Sequence, residues 1–279
     1  MPTVFLVRHG ESQSNVGLPT DCPECAKLTV RGKEQAKRIA FSLESLTSLD
    51  LIVTSSYQRS KETAMPTQDA FPTVSQDEWK VQEFTYLSPV YLGYSNAEQR
   101  KPLVEAYWEQ LLPFYEDGPG AESFAQFIER VQAFLNLLRD QEYEDKTIAV
   151  FSHEQFIKAV LWLIDDGPIE MSSKAMRDFR DCLNHKSLRN GAIVNMRYSH
   201  YNNCWCYERI TQHLDLEYHV LEAAAAKCFH LKHFESESNS PLLPSCNEPQ
   251  KLDRKEIKIS SVLTAICRKI EPYFTSSVP

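Results

Sequence analysis

Arginine and histidine side chains follow short apolar segments at three points of the chain. Arg8 and His9 come directly after the first segment, Arg59 lies a few residues beyond the second, and His153 follows a third. A neutral imidazole can attack phosphorus, and a guanidinium binds phosphate oxygens through paired N–H donors. These residue types therefore favour phosphoryl transfer, provided that the fold brings them together.

The elements that must position these side chains are short buried strands. Three apolar segments rich in β-branched residues precede them, namely Thr3 to Val7, Leu51 to Thr54 and Lys146 to Phe151. Each is typical of a strand buried on both faces of a parallel sheet. Ligands of open parallel α/β sheets bind beyond the carboxyl ends of the strands. We therefore expect the arginine and histidine side chains to converge on one crevice.

Helical periodicity alternates with the strands along most of the chain. Thr29 is placed to cap a helix from Arg31 to Phe41, and the strongest apolar stripe runs from Glu122 to Leu138. Further helices are predicted for Tyr57–Ala70, Ala97–Leu112, Glu154–Ile164 and Met171–Asp181, and further strands for Val74–Val81, Ala192–Arg197 and Trp205–Ile210. This order predicts a three-layer α/β/α fold with a mostly parallel central sheet.

Composition limits the class of protein. The 279 residues, of which 42% are apolar and 24% charged, suffice for a sizeable globular core. The formal net charge of −8 argues against binding to nucleic acid or acidic lipid, because such binding depends on Lys and Arg. No apolar run approaches the roughly 20 residues of a membrane span. The first residues also lack the basic leader of a secretory signal.

Eight cysteines are too sparse over this length for a disulfide scaffold, so we expect a reducing, cytoplasmic setting. Cys22 and Cys25 have the C-x-x-C spacing of a zinc ligand pair, with Cys204 and Cys206 as candidate partners. Such cysteines are more often buried or inert thiols, which is the interpretation we favour. We expect neither a metal nor a cofactor.

Five sequence blocks carry the candidate residues in a fixed order. They are Leu6-Val7-Arg8-His9-Gly10-Glu11-Ser12 with Asn15, Leu28-Thr29 with Gly32 and Gln35-Ala36, Thr54-Ser55-Ser56 with Arg59 and Glu62-Thr63-Ala64, Gln82-Glu83, and Phe151-Ser152-His153. The series resembles the histidine phosphatase (phosphoglycerate mutase-like) superfamily from about Thr3 to Leu163, and the resemblance weakens through Arg209. Five blocks in the family's order are far more specific than a single motif.

The resemblance implies a role for each matched residue. His9 would form a phosphohistidine, while Arg8 and Arg59 would bind the non-bridging phosphate oxygens and orient the group for in-line transfer. His153 would donate a hydrogen bond to the developing negative charge, and Asn15 would add a neutral donor.

Glu83 matches the family's acid, which implies that it protonates the leaving oxygen and later helps to activate water. Glu78 is the competing carboxylate nearby in the sequence. Ser12 is interpreted as a cap for a helix that would follow it. The predicted catalytic residues are His9, Glu83, His153, Arg8 and Arg59, and the predicted phosphate ligands are Arg8, Asn15, Arg59 and His153.

Two positions depart from the family's pattern. Glycine usually follows the second histidine, whereas Glu154 and Gln155 follow His153 here. A carboxylate beside bound phosphate would repel it, so we expect Glu154 to point into solvent or to act as a second acid. The mutases follow their acid with an arginine. Here Glu83 is followed by apolar and aromatic residues, which favours a phosphatase whose leaving group contacts aromatic surface from Phe84, Tyr86 and Tyr91.

The sequence therefore predicts a metal-independent phosphatase acting on a phosphomonoester, either a small molecule or a phosphopeptide. Residues 1–234 are expected to form the catalytic domain, with an irregular excursion over 86–120 near the site. Residues 235–279 are expected to form a linker, which is rich in Ser, Glu, Asn and Pro from about Glu235, and a tail in which Lys251 to Tyr273 could form a short helix. A phosphoglycerate mutase and a non-catalytic phosphate-binding or adaptor protein remain the alternatives.

Overall fold

The central sheet has six strands and is mixed. The structure is a computed structural model that describes residues 2–20, 22–167, 169–185, 187–199 and 204–209. The strands are β1 (Thr3–Arg8), β2 (Leu51–Thr54), β3 (Ser75–Glu78), β4 (Thr147–Ser152), β5 (Ile193–Ser199) and β6 (Cys204–Arg209), in the spatial order β3-β2-β4-β1-β5-β6. The first four strands in this order are parallel, and β5 and β6 are added antiparallel.

The register of the parallel strands fixes where the site lies. Arg8, the last residue of β1, is paired with Ser152, the last residue of β4, and Thr54 at the end of β2 is paired with Phe151. The carboxyl ends of three neighbouring strands therefore meet at one edge of the sheet. This is the edge at which ligands bind in open α/β sheets, as the sequence predicts.

Seven α-helices and one short 3₁₀ helix, at Gln141–Tyr143, are described. The α-helices are α1 (Val30–Leu46), α2 (Gln58–Ala70), α3 (Pro89–Leu92), α4 (Ala97–Gln110), α5 (Phe124–Leu137), α6 (Glu154–Asp166) and α7 (Ser173–His185). Helix α1 packs against α2, whereas α6 packs against both α5 and α7. The prediction of a three-layer α/β fold with a mostly parallel sheet is confirmed.

Most predicted elements are present, with differences at their ends. Thr29 caps α1 as expected, since its hydroxyl accepts a hydrogen bond from the amide of Gly32 at 3.0 Å. Helix α4 ends before Leu111, whose backbone is left-handed with φ of 51°. Helix α7 extends to His185, four residues beyond its predicted end. The four-residue helix α3 is not predicted, because it is shorter than the window from which periodicity is recognised.

The core lies largely between the sheet and α5, α6 and α7. The phenylalanine-rich stripe of α5 is buried as predicted, apart from Leu135, which is partly buried. Phe84 belongs to this core, because it is 3% exposed and stacks on Phe127 with the ring centroids 4.4 Å apart. The expectation that Phe84 offers aromatic surface to a leaving group is therefore wrong.

The excursion over residues 86–120 is anchored in the same core. Tyr107 and Trp108 of α4 are buried and lie edge-on to Phe84, whereas Tyr91 is 63% exposed. Within the described residues, no helix is both long enough and apolar enough to cross a membrane. The predicted domain boundary at residue 234 and the predicted tail lie outside the described residues.

Candidate active site

His9 lies immediately after β1 and is 2% exposed. Its Nδ1 is 2.6 Å from the carbonyl oxygen of Gly10, which can only accept, so Nδ1 carries the proton. Its Nε2 then has the free lone pair and accepts a hydrogen bond from Nε of Arg59 at 3.1 Å. The backbone thus selects the tautomer in which Nε2 carries the free lone pair.

Burial lowers the pKa of His9 well below its ordinary value of 6.5, and the positive charges of Arg59 and Arg8 add to this effect. The imidazole is therefore neutral at neutral pH. A neutral imidazole is the form that can attack an electrophile.

Two glycines let the segment after β1 approach the start of α1. A Cβ on Gly32 would lie 2.0 Å from the carbonyl oxygen of Glu11, and a Cβ on Gly10 would lie 2.5 Å from the carbonyl oxygen of Gly32. A side chain at either position would therefore push the loop after β1 and the start of α1 apart. The close contact therefore fixes the Gly10 carbonyl that orients His9.

Arg59 is held from two sides near the start of α2. Its Nη1 donates to the carbonyl oxygen of Pro23 at 2.7 Å, and its guanidinium lies over the ring of Tyr57, 4.7 Å from the centroid. The side chain is buried. An arginine fixed in this way presents its remaining donors in a defined direction beside His9.

His153 follows β4 and is fully buried, with its ring centroid 5.1 Å from that of His9. Its Nε2 is 2.7 Å from Oγ of Ser55, and the ring of Tyr57 packs edge-on against it at 5.0 Å. Nδ1 has no hydrogen-bond partner among the described residues. Burial, reinforced by Arg59, lowers the pKa of His153 well below 6.5.

Glu83 contacts the start of α6, where its Oε1 accepts a hydrogen bond from the amide of Gln155 at 2.8 Å. Burial raises the pKa of Glu83 above its ordinary value of 4.5, although Arg59 and the Gln155 hydrogen bond oppose the shift. Glu78 lies on the exposed strand β3 and forms an ion pair with Lys61 at 2.7 Å. Of the two carboxylates, Glu83 is thus the one with the environment of a general acid.

The side chain of Arg8, at the end of β1, contacts Leu188 and Glu154. One of its Nη1 hydrogens is directed to the carbonyl oxygen of Leu188, and the same nitrogen is 2.9 Å from Oε2 of Glu154. The expectation that Glu154 points into solvent is therefore wrong. Its carboxylate is bound within the structure because Arg8 and the segment around Leu188 meet it there.

Asn15 is exposed, and its side-chain oxygen accepts from the backbone and hydroxyl of Ser12 and from Nδ2 of Asn190. Asn190 also donates to the carbonyl oxygen of His9 at 3.2 Å, so it joins the two segments. No helix follows Ser12 before α1, so its interpretation as a helix cap is wrong. Residues 13–17 form turns instead.

Several side chains at the site were not singled out from the sequence. Ser55 and Tyr57 lie in a matched block, and their contacts with His153 span about a hundred residues of chain. Leu188 and Asn190 lie in a segment without a recognisable motif. Only the fold brings these groups together.

Cys22 and Cys25 are joined in a disulfide, which corrects the expectation of inert thiols at these positions. Cys204 and Cys206 are free and exposed rather than buried. In the described part of the chain, no group of three or more His, Cys, Asp or Glu side chains is arranged to hold a metal ion.

Comparison with known proteins decides the family. The model of the histidine phosphatase superfamily (branch 1) matches residues 4–182. The chain belongs to the histidine phosphatase superfamily. The match covers every residue proposed for the site from Arg8 to His153, and it confirms the resemblance read from the five sequence blocks.

Two curated phosphatases have similar sequences. The adenosylcobalamin/alpha-ribazole phosphatase of Escherichia coli (strain K12) is 29% identical over 187 residues, which are 63% of this chain and 84% of that relative. An uncharacterized phosphatase of Bacillus subtilis (strain 168) is 28% identical over 177 residues, which are 62% of this chain and 82% of that relative. The prediction of a phosphatase acting on phosphate esters is confirmed by the family and by these relatives.

A solved histidine phosphatase has the same fold. The alpha-ribazole phosphatase from Shigella flexneri superimposes with a TM-score of 0.57 at 21% identity, over 75% of this chain and 96% of that one. The two proteins thus share the fold of the sheet and its flanking helices.

Proposed function

We propose that this protein hydrolyses a phosphomonoester through a phosphohistidine on Nε2 of His9. The observation that carries the proposal is the orientation of the imidazole. Gly10 holds the proton on Nδ1, and burial keeps the ring neutral. The free lone pair on Nε2 faces a guanidinium, which attracts a phosphate to the same place.

In the resting site, Nε of Arg59 donates a hydrogen bond to Nε2 of His9. In the first step, the phosphorus of the substrate takes the place of this donor next to Nε2. The N–P bond forms as the P–O bond to the leaving group breaks. Arg8 and Arg59 stabilise the non-bridging oxygens, and protonated Glu83 donates its proton to the leaving oxygen. In the second step, Glu83 as a carboxylate takes a proton from water, and the water oxygen forms a bond to phosphorus. The N–P bond breaks at the same time, which releases inorganic phosphate and restores neutral His9.

His153 and Asn15 complete the proposed phosphate site. The Nε2 atom of His153 reaches the Ser55 hydroxyl at 2.7 Å, and a bound phosphate oxygen would compete for this contact. The side-chain oxygen of Asn15 is occupied by Ser12 and Asn190, which leaves its amide N–H groups for phosphate. Both contacts are hydrogen bonds that strengthen as charge develops.

The substrate is proposed to be a small phosphorylated molecule. The relative from Escherichia coli is named for adenosylcobalamin and alpha-ribazole, so nucleoside-like phosphates belong in a first screen beside sugar phosphates, phosphopeptides and aryl phosphates.

We also propose a cytoplasmic location. The overall sparseness of cysteine supports it.

Replacement of His9 tests the mechanism directly. His9→Ala is expected to lower kcat by at least about 10⁴-fold while the protein stays folded, because no other group can form the covalent intermediate. Acid-labile phosphate should be trapped on the wild type and not on the variant. His185→Ala, at an exposed position on α7, is the matched control. Assays in the presence of a chelator address metal dependence in the same experiment.

Full activity of a folded His9→Ala protein would overturn the mechanism. The mutase alternative is separated by supplying phosphoglycerate and measuring whether the phosphoryl group is moved or released. An adaptor without catalytic activity would bind phosphate and leave no phosphohistidine on His9.

A further inference from the structure

Glu154 is bound by three groups of the described structure. Its Oε2 lies 2.9 Å from Nη1 of Arg8, and its Oε1 accepts a hydrogen bond from the amide of Leu188 at 3.1 Å. The same Oε1 lies 3.2 Å from Nζ of Lys158, one turn further along α6. The carboxylate thus connects the end of β1, the start of α6 and the segment before β5.

The donors of Arg8 can be counted atom by atom. Nη1 carries two hydrogens, and its two acceptors are Glu154 and the carbonyl oxygen of Leu188. Nε is buried and has no partner among the described residues. The Nε and Nη2 edge is one of the two forks through which an arginine binds phosphate in a bidentate manner. Glu154 therefore occupies one side of the guanidinium and leaves this fork for a ligand.

The charge of Glu154 is balanced on the side away from Arg8. The Lys158 side chain is 4% exposed, and its ammonium group also donates to the carbonyl oxygen of Leu183 at 2.6 Å. The Glu154–Lys158 pair is neutral as a unit. Glu154 also stands at the first position of α6, where the helix dipole favours a carboxylate. The repulsion that a lone carboxylate would exert on bound phosphate is thereby offset.

We propose that Glu154 is a positioning residue that holds Nη1 of Arg8 against Leu188 and so presents the Nε and Nη2 edge of Arg8 to the substrate phosphate. This inference rests on the proposed function. It assigns a role to the residue that replaces the glycine usual in the family, and this role acts through Arg8 rather than by contact with the substrate.

A variant that removes the Glu154 carboxylate should also remove the Lys158 ammonium group, because that buried group would otherwise lose its ion-pair partner. The variant Glu154→Ala with Lys158→Met removes both charges, and we expect it to lower kcat/KM about tenfold, mainly through kcat, because a loose guanidinium is poorly placed in the transition state. Lys158→Met alone keeps the contact of Glu154 with Arg8 and should stay within about twofold of wild type. Glu154→Gln keeps an acceptor for Arg8 and should fall by no more than about threefold.

The pH profile gives a readout that a merely structural role would not change. Burial is the main cause of the raised pKa of Glu83, and the negative charge of Glu154 adds to this shift. Loss of this charge in Glu154→Gln should therefore move the alkaline limb of kcat/KM to lower pH, because Glu83 then loses its proton earlier. Lys158→Met should not move the alkaline limb of the kcat/KM profile to lower pH, because Glu154 keeps its charge in this variant. The isosteric glutamine variant keeps this test available if the double variant does not fold.

A double-mutant cycle on kcat/KM connects the effect to Arg8. In an Arg8→Ala background, the Glu154→Ala, Lys158→Met pair is expected to cause no further loss. An unchanged or increased kcat/KM in the double variant, or an equal loss in the absence of Arg8, would overturn the inference. These results require an active wild type that forms phosphohistidine. A wild type that does neither counts against the proposed function instead.

Discussion

The chemistry of the site depends on which nitrogen of His9 carries the proton. The Gly10 carbonyl oxygen lies 2.6 Å from Nδ1, and a carbonyl can only accept. Nε2 is therefore the basic nitrogen, and it faces Arg59. Burial keeps His9 neutral while the same burial keeps Glu83 protonated to higher pH than an exposed carboxyl. One dry environment thus favours the protonation states that the proposed nucleophile, His9, and the proposed acid, Glu83, require.

The role of Glu83 as the acid can be measured with two leaving groups. An alkoxide leaves poorly unless it is protonated, whereas a nitrophenolate leaves readily as an anion. Glu83→Gln is expected to lower kcat/KM by roughly 10²- to 10⁴-fold for an alkyl phosphate and by clearly less for nitrophenyl phosphate. The comparison uses kcat/KM because kcat can report hydrolysis of the phosphohistidine, a step common to both substrates.

Glu78→Gln is the matched control for Glu83→Gln. It changes an exposed carboxylate on β3 that is paired with Lys61, and both substrates should be unaffected. An equal fall with both substrates in Glu83→Gln would mean that Glu83 shapes the site without donating a proton. No fall with either would move the acid role to another carboxylate.

At the residue scale, the sequence identifies side chains better than it identifies their partners. Arg8, His9 and His153 are recognisable because strand-end motifs carry them, and the structure brings them together. The contact of Arg8 with Leu188 spans 180 residues, and no local pattern encodes it. For the same reason the sequence does not predict the orientation of Glu154. Its partners on β1 and before β5 become neighbours only after folding.

At the scale of elements, the site exists because three parallel strands end at one edge of the sheet. Their short apolar runs make β1, β2 and β4 predictable, since a strand buried on both faces needs apolar side chains throughout. Their spatial order is not predictable in this way, because strand pairing depends on contacts between distant segments. Helix ends are also less certain, as the left-handed turn at Leu111 illustrates.

The substitution Gly32→Ala tests how closely the loop after β1 packs against helix α1. In Gly32→Ala the new Cβ would meet the backbone oxygen of Glu11 at 2.0 Å, so one of the two elements must shift. We expect a loss of about 2–3 kcal/mol in the free energy of unfolding, or roughly 5–10 °C in Tm. Activity should fall as well, because the shifted loop carries Gly10 and hence the orientation of His9.

Lys33→Ala is the control for this substitution. It changes the next residue of α1, which is exposed, and it should alter Tm by no more than about 2 °C. Thermal unfolding followed by circular dichroism measures both variants. Equal Tm values for Gly32→Ala and wild type would contradict the close packing at this junction.

At the scale of the whole molecule, a chain of net charge −8 needs local positive charge to bind an anionic ligand. In the proposed site this charge comes from Arg8 and Arg59 at the sheet edge, and partners within the structure fix both guanidinium groups. The described residues from β1 to β6 contain every group proposed for catalysis. The family match ends at residue 182, and β6 then covers the edge of β5.

Truncation after Phe234 tests whether this part of the chain is sufficient. The truncated protein keeps all six strands and every proposed catalytic and phosphate-binding residue, and it lacks only the predicted linker and tail. We therefore expect kcat/KM to stay within about twofold of the full chain and Tm to change by no more than about 3 °C.

A second truncation after Ser199 removes β6 and exposes an edge of β5, so it should be less stable or aggregate. If the Phe234 truncation behaves like the Ser199 truncation, residues 235–279 complete the core of the catalytic domain, and the predicted boundary is wrong.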